Sequence, residues 1–177
     1  MKNILKISFL FFLSVSLCAC PYSSVYNLDE TPGIYVEDAL IGKWSTLIKM
    51  PNSSREVSVT LILSKKTDTE YNIAFTGYPN DMRPFSAIKS DSISGTAFMS
   101  TIGSNQFLNI NINSMIYIAE LKLKNNNLSL LPLAEHFTGK MIFSSEALRN
   151  SVDFHYKTRV HPILDDDFIL RDMVKLN

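Results

Sequence analysis

Cysteine is almost missing from this chain: its 177 residues hold two, Cys18 and Cys20, both close to the amino terminus. The body of the chain therefore has no thiol pair for a disulfide, no thiolate set for zinc and no cysteine nucleophile, and its stability must come from packing. Excess charge of either sign is missing too. Lys+Arg and Asp+Glu each number 17, a balance that argues against nucleic acid as a partner, because phosphate binding requires a basic face. No basic run suggests lipid head groups. Long apolar runs are likewise scarce. The apolar run from Ile7 to Leu17 covers 11 residues, whereas a helix needs roughly 20 to cross a bilayer. No repeat of solenoid or propeller period appears.

What is present begins with a signal. Lys2 and Lys6 form a charged start, the apolar run follows, and Leu17-Cys18-Ala19-Cys20 closes it; this is the order of a secretory signal peptide. The closing four residues resemble the lipobox of bacterial lipoproteins, with Leu17, the small Ala19 and Cys20 at that family's positions and Cys18 at its tolerant one. The resemblance implies cleavage between Ala19 and Cys20, a diacylglyceryl thioether on Cys20 and acylation of the new amino group. Cys18 fits less well, because Leu17 would then fill the small-residue place. Pro21 stands where an Asp would favour retention in the inner membrane, so the family's rule points to the outer membrane. Two or three acyl chains, at roughly 0.8 kcal/mol per buried methylene, make release negligible. The expected partner is thus a membrane.

Removing residues 1–19 from 177 leaves 158, enough for one domain. Loss of Lys2 and Lys6 turns 17 Lys+Arg into 15, against 17 Asp+Glu. Residues 20–37 are polar and read as an acylated cysteine with a flexible tether, and 38–177 as a β-rich globular domain. Period-two alternation dominates the latter. Val57, Val59, Leu61 and Leu63 share a face, as do Tyr71, Ile73 and Phe75, with a polar turn at Lys65 to Thr69 between them. Leu108, Ile110 and Ile112 alternate with Asn109, Asn111 and Asn113. Tyr117, Ala119, Leu121 and Leu123 alternate with Ile118, Glu120, Lys122 and Lys124, and Asn125-Asn126-Asn127 turns into Leu128 to Leu131. These strands are expected to have one wet face. Further strands are expected at Trp44 to Met50, Phe85 to Lys89 and Thr96 to Thr101. A helix is expected over 145–157, capped by Ser144 or Ser145, with Leu148 and Val152 on one face and His161-Pro162 after its end; Val152, Phe154 and Tyr156 also alternate. A closing strand runs from Phe168 to Val174. The fold class is mainly β: a small antiparallel meander barrel of about seven or eight strands with one late α-helix. A two-layer sandwich, or an open sheet with the helix across it, is the alternative.

Gly42-Lys43-Trp44, after Ala39-Leu40-Ile41, resembles the Gly-x-Trp opening of lipocalin-like barrels. That resemblance implies that Gly42 and Trp44 begin the first strand, that Trp44 plugs the barrel floor, and that Arg171 or Arg149 covers it through a cation-π contact. A lone Trp serving as core in an unrelated β-domain is the plainer reading. The family's Thr-Asp-Tyr element is not in its place, since Thr67-Asp68-Thr69-Glu70-Tyr71 falls in the first hairpin. No metal is expected: His136, His155 and His161 lack zinc spacing, and Asp165-Asp166-Asp167 lacks the pattern of a calcium loop and reads as a solvated turn. Ser86-Ala87-Ile88-Lys89 has the Ser-x-x-Lys spacing of penicillin-binding enzymes, but in a strand the two side chains fall on opposite faces. With no catalytic constellation and no cofactor motif, the expected role is non-enzymatic: a membrane-anchored envelope lipoprotein that binds an envelope component. The alternative is a lipocalin-like carrier holding an apolar small molecule in the barrel.

Overall fold

A computed structural model describes residues 21–49, 55–78, 92–159, 163–165 and 169–176. The signal segment with Ala19 and Cys20, the strand expected at Phe85 to Lys89, His161-Pro162, and Asp166 to Phe168 lie outside the described residues. The strands are β1 (Ser23–Ser24), β2 (Gly42–Lys49), β3 (Glu56–Lys65), β4 (Tyr71–Thr76), β5 (Ser92–Ile102), β6 (Asn105–Ile112), β7 (Met115–Lys124), β8 (Asn127–Pro132) and β9 (Leu170–Leu176), with helix α1 (Ser145–Thr158) between β8 and β9. Strands β2 to β9 pair consecutively and antiparallel, and β9 returns to β2, so eight strands close a barrel. Closure satisfies the edge strands that a meander would otherwise expose. β1 adds a short rung to the outer end of β7.

The turns follow from residues that tolerate positive φ. Asn113 and Ser114 (φ 50° and 65°) join β6 to β7, and Asn125 and Asn126 (φ 51° and 64°) join β7 to β8. Two successive positive φ values match the right-handed twist of the flanking strands. Inside the barrel the register stacks apolar side chains around the axis: Trp44 opposes Leu61, Leu61 opposes Phe75, and Phe75 opposes Ile93. All four are buried, and each contributes about 1.5–3 kcal/mol of burial. At Gly95 the backbone of β6 comes so close that a Cβ would meet the Asn111 carbonyl oxygen at 2.0 Å.

A second apolar cluster lies outside the barrel wall. Phe107 of β6 and Ile116 and Ile118 of β7 point outward and are buried beneath Leu28, Leu133, Phe137, and Leu148 and Val152 of α1. The helix forms there because Ser144 caps it, its hydroxyl accepting from the Ala147 amide at 3.1 Å, a contact worth about 1 kcal/mol. It ends at Arg159 in the left-handed conformation.

This roof corrects two expectations. Residues 21–37 are no tether. Pro21 bridges to Ala134, the Tyr22 amide donates to the Leu133 carbonyl at 2.8 Å, Leu28 is buried, and the Val36 amide donates to the Asp68 carbonyl at 2.8 Å. Leu28 and the polar groups that bond to the barrel wall make the segment a strap. The outer face of β5 to β7 is also wet only in part, with Asn111, Lys122 and Lys124 exposed. Asn109 and Glu120 are buried, because strap and helix lie over them.

Candidate functional site

Two parts of the molecule gather polar chemistry. The first is the barrel end where β2 begins. A single turn with i→i+3 hydrogen bonds, Leu40 amide to Glu37 carbonyl and Ile41 amide to Asp38 carbonyl, leads into Gly42, whose φ is 142°. Trp44 is fully buried in the barrel core, and its Nε1 donates to the Leu40 carbonyl at 2.8 Å. The cation over the indole is Lys175, its Nζ 5.1 Å from the ring centroid, and neither Arg171 nor Arg149. The cause is register, since Lys175 stands directly opposite Trp44 on β9, and a β-bulge takes Arg171 further out of reach. Leu130 opposes Leu170 and Leu128 opposes Met173, so β9 carries one extra residue, and Asp172 adopts φ 48° there. The extra residue turns Arg171 outward while Met173 and Lys175 face in. Arg149 instead donates to Asp29 at 2.6 Å and to the Thr101 carbonyl, pinning strap to helix.

The second part is a cleft of about 780 Å³ between α1 and the β5–β6 turn, with Glu120 and Lys122 of β7 on its floor and Asp153, Tyr156, Lys157 and Arg159 along the helix side. Glu120 is 2% exposed and its Oε2 lies 2.9 Å from Lys122 Nζ. Burial, and then the neighbouring Glu120 carboxylate, push the Tyr156 hydroxyl far above the ordinary tyrosine range. That hydroxyl is buried without a hydrogen bond of ordinary geometry, and its ring stands edge-on to Phe107 at 5.6 Å. It holds its proton throughout the physiological range and so can donate a hydrogen bond but not act as a base. Asp153 and Lys157 pair at 2.6 Å on the rim. Both signs of charge thus line one concave surface. Alternation alone had assigned Glu120 and Lys122 to solvent, and Lys122 is exposed while Glu120 is not; the signal against Glu120 was Ile118, an apolar residue on the same face two positions before it, with Phe107 outward on the next strand.

Strap and wall meet through Asn109. Its Oδ1 accepts from the Leu28 amide at 2.7 Å, and its Nδ2 donates to Ser100 Oγ at 2.8 Å and to the Phe98 carbonyl at 3.3 Å. Of the histidines, His136 is exposed and His155 is buried edge-on to Phe137 and Phe154, each at 5.8 Å. Asp165 is also buried, its amide donating to the Pro132 carbonyl at 2.9 Å, which corrects the solvent exposure expected of that residue. Among the described residues, no group of three potential metal ligands is assembled and no helix is long and apolar enough to cross a membrane. The chain matches no family model, no curated protein and no solved structure.

Proposed function

We propose that this chain is a lipid-anchored protein of the bacterial envelope that binds a partner rather than transforming it. The observation that carries the reading is Leu17-Cys18-Ala19-Cys20 at the end of a short apolar run. It assigns acyl chains to Cys20 and gives the mature protein a membrane partner. The recognition surface in this reading is the cleft beside α1, where Glu120, Lys122, Lys157 and Arg159 offer charges of both signs to an envelope component.

The anchor is tested by growing cells with a labelled fatty acid. Wild-type protein is expected to take up label and to remain with membranes, and Cys20→Ser to lose both properties. Continued labelling of the Cys20→Ser variant contradicts the assignment. The binding role is tested on gently purified protein: an apolar molecule found at one per chain would replace surface recognition with carriage inside the barrel.

A further inference from the structure

Residues Lys140 to Phe143 and the outer side of α1 carry an apolar surface that the barrel does not use. Met141, Phe143 and Phe154 are 77%, 69% and 53% exposed. Met141, Ile142, Ala147 and Phe154 line a groove of about 480 Å³, and Lys140 Nζ lies 5.7 Å from the centre of the Phe154 ring. A cation beside exposed aromatic and thioether side chains is the composition of a surface that rests at the boundary between lipid head groups and acyl chains.

Position identifies the occupant. Pro21 is joined to Ala134. From that point a series of rings runs to the patch: Tyr22 meets Phe137 at 4.8 Å, Phe137 meets His155 at 5.8 Å, and His155 meets Phe154 at 5.8 Å. One residue spans at most about 3.6 Å, and a single peptide bond separates Cys20 from the clasped Pro21. An anchor on Cys20 therefore cannot hold the domain away from the lipid, and the apolar patch, three ring contacts from Tyr22, is close enough to that anchor to meet it.

We infer that the Met141, Phe143 and Phe154 face seats on the bilayer surface with Lys140 at the head-group level, an inference that rests on acylation of Cys20. The seat leaves β2 and β3 on the far side of the barrel from the lipid, since around the eight-stranded barrel β2 stands four strands from β6 and β3 four strands from β7.

Acylation blocks the one thiol of the mature chain, so a cysteine introduced elsewhere accepts an environment-sensitive fluorophore alone. Acylated full-length Met141→Cys and Ser58→Cys, each labelled, are reconstituted into phosphatidylethanolamine–phosphatidylglycerol vesicles with and without spin-labelled lipid. The Met141→Cys probe is expected to emit at shorter wavelength than in detergent-free denaturant and to be quenched by the spin label, while the Ser58→Cys probe stays water-like and unquenched. Mass spectrometry of the same samples separates the two ideas. With acyl chains present on Cys20, an unquenched Met141→Cys probe, or a quenched Ser58→Cys probe, overturns the seat and leaves the anchor standing. With no acyl chain on Cys20, the anchor fails and the seat with it.

Discussion

Asn109 shows how one buried amide ties separate parts of a chain together. Its three hydrogen bonds reach the strap at Leu28 and the wall at Phe98 and Ser100, and truncation leaves the Leu28 amide without its acceptor in a buried place. Asn109→Ala is expected to lower unfolding stability by about 2–4 kcal/mol, with faster hydrogen exchange at Leu28 as the local sign; an unchanged Leu28 amide would show that the strap holds without it. Tyr156 makes a prediction in pH. Its folded-state value is raised above the ordinary 10.0 by burial and by Glu120, so the contribution to stability is fully present below that value and is lost as pH rises above it, where only the unfolded chain releases the proton. Tyr78 is raised by burial and acts in the same direction. Tyr156→Phe is expected to flatten part of the alkaline loss measured by urea unfolding between about pH 9 and 11, and near neutrality to stay within about 1 kcal/mol of wild type because the lost hydroxyl makes no good bond. Parallel curves for the two proteins contradict this account of Tyr156.

At the level of elements, strands were legible wherever one side of the wall stayed wet. Val59 and Tyr71 each stand between polar neighbours, and their strands and the intervening turn lie where the pattern puts them. Helix α1 was legible from Ser144 and Glu146, and it runs one residue past the expected end. What period two could not convey is a wall covered on both faces: Phe107 to Ile110 and Ile118 to Leu121 are buried without a break, because the covering strap comes from a polar stretch whose few apolar residues carry no period. Leu28 and Tyr22 hide among Ser, Asn and Asp. The bulge in β9 was hidden for a different reason, since an inserted residue leaves the composition of a strand unchanged. Asp172 sits at φ 48° there, and its amide donates to Ser129 Oγ at 2.9 Å. A β-branched residue is strained at such a φ and glycine is not. Asp172→Val is expected to cost about 1–2 kcal/mol and Asp172→Gly much less in thermal unfolding; equal losses would place the bulge's support in the Asp side chain instead of its backbone.

On the scale of the whole molecule, a closed wall of eight strands surrounds a buried apolar cluster, and strap, helix and cleft meet on one outer side of it, over β5 to β7. Composition and alternation sufficed for the barrel because an antiparallel meander writes its pairing in sequence order. The cleft was not legible, because Glu120, Lys122 and Tyr156 come together only when α1 folds back over β7, a contact between residues far apart in the chain. Under the proposed anchor, the strap leaves the domain no stand-off, so that it would be held against its membrane rather than swing from it. Everything in that picture depends on the mature amino terminus. The direct measurement is the intact mass of protein extracted from membranes in mild detergent, with the amino-terminal peptide sequenced by fragmentation. The account predicts a chain that begins at Cys20 and carries a diacylglyceryl group on sulfur with a further acyl chain on nitrogen; a chain that begins at another residue, or a Cys20 with a free thiol, contradicts it.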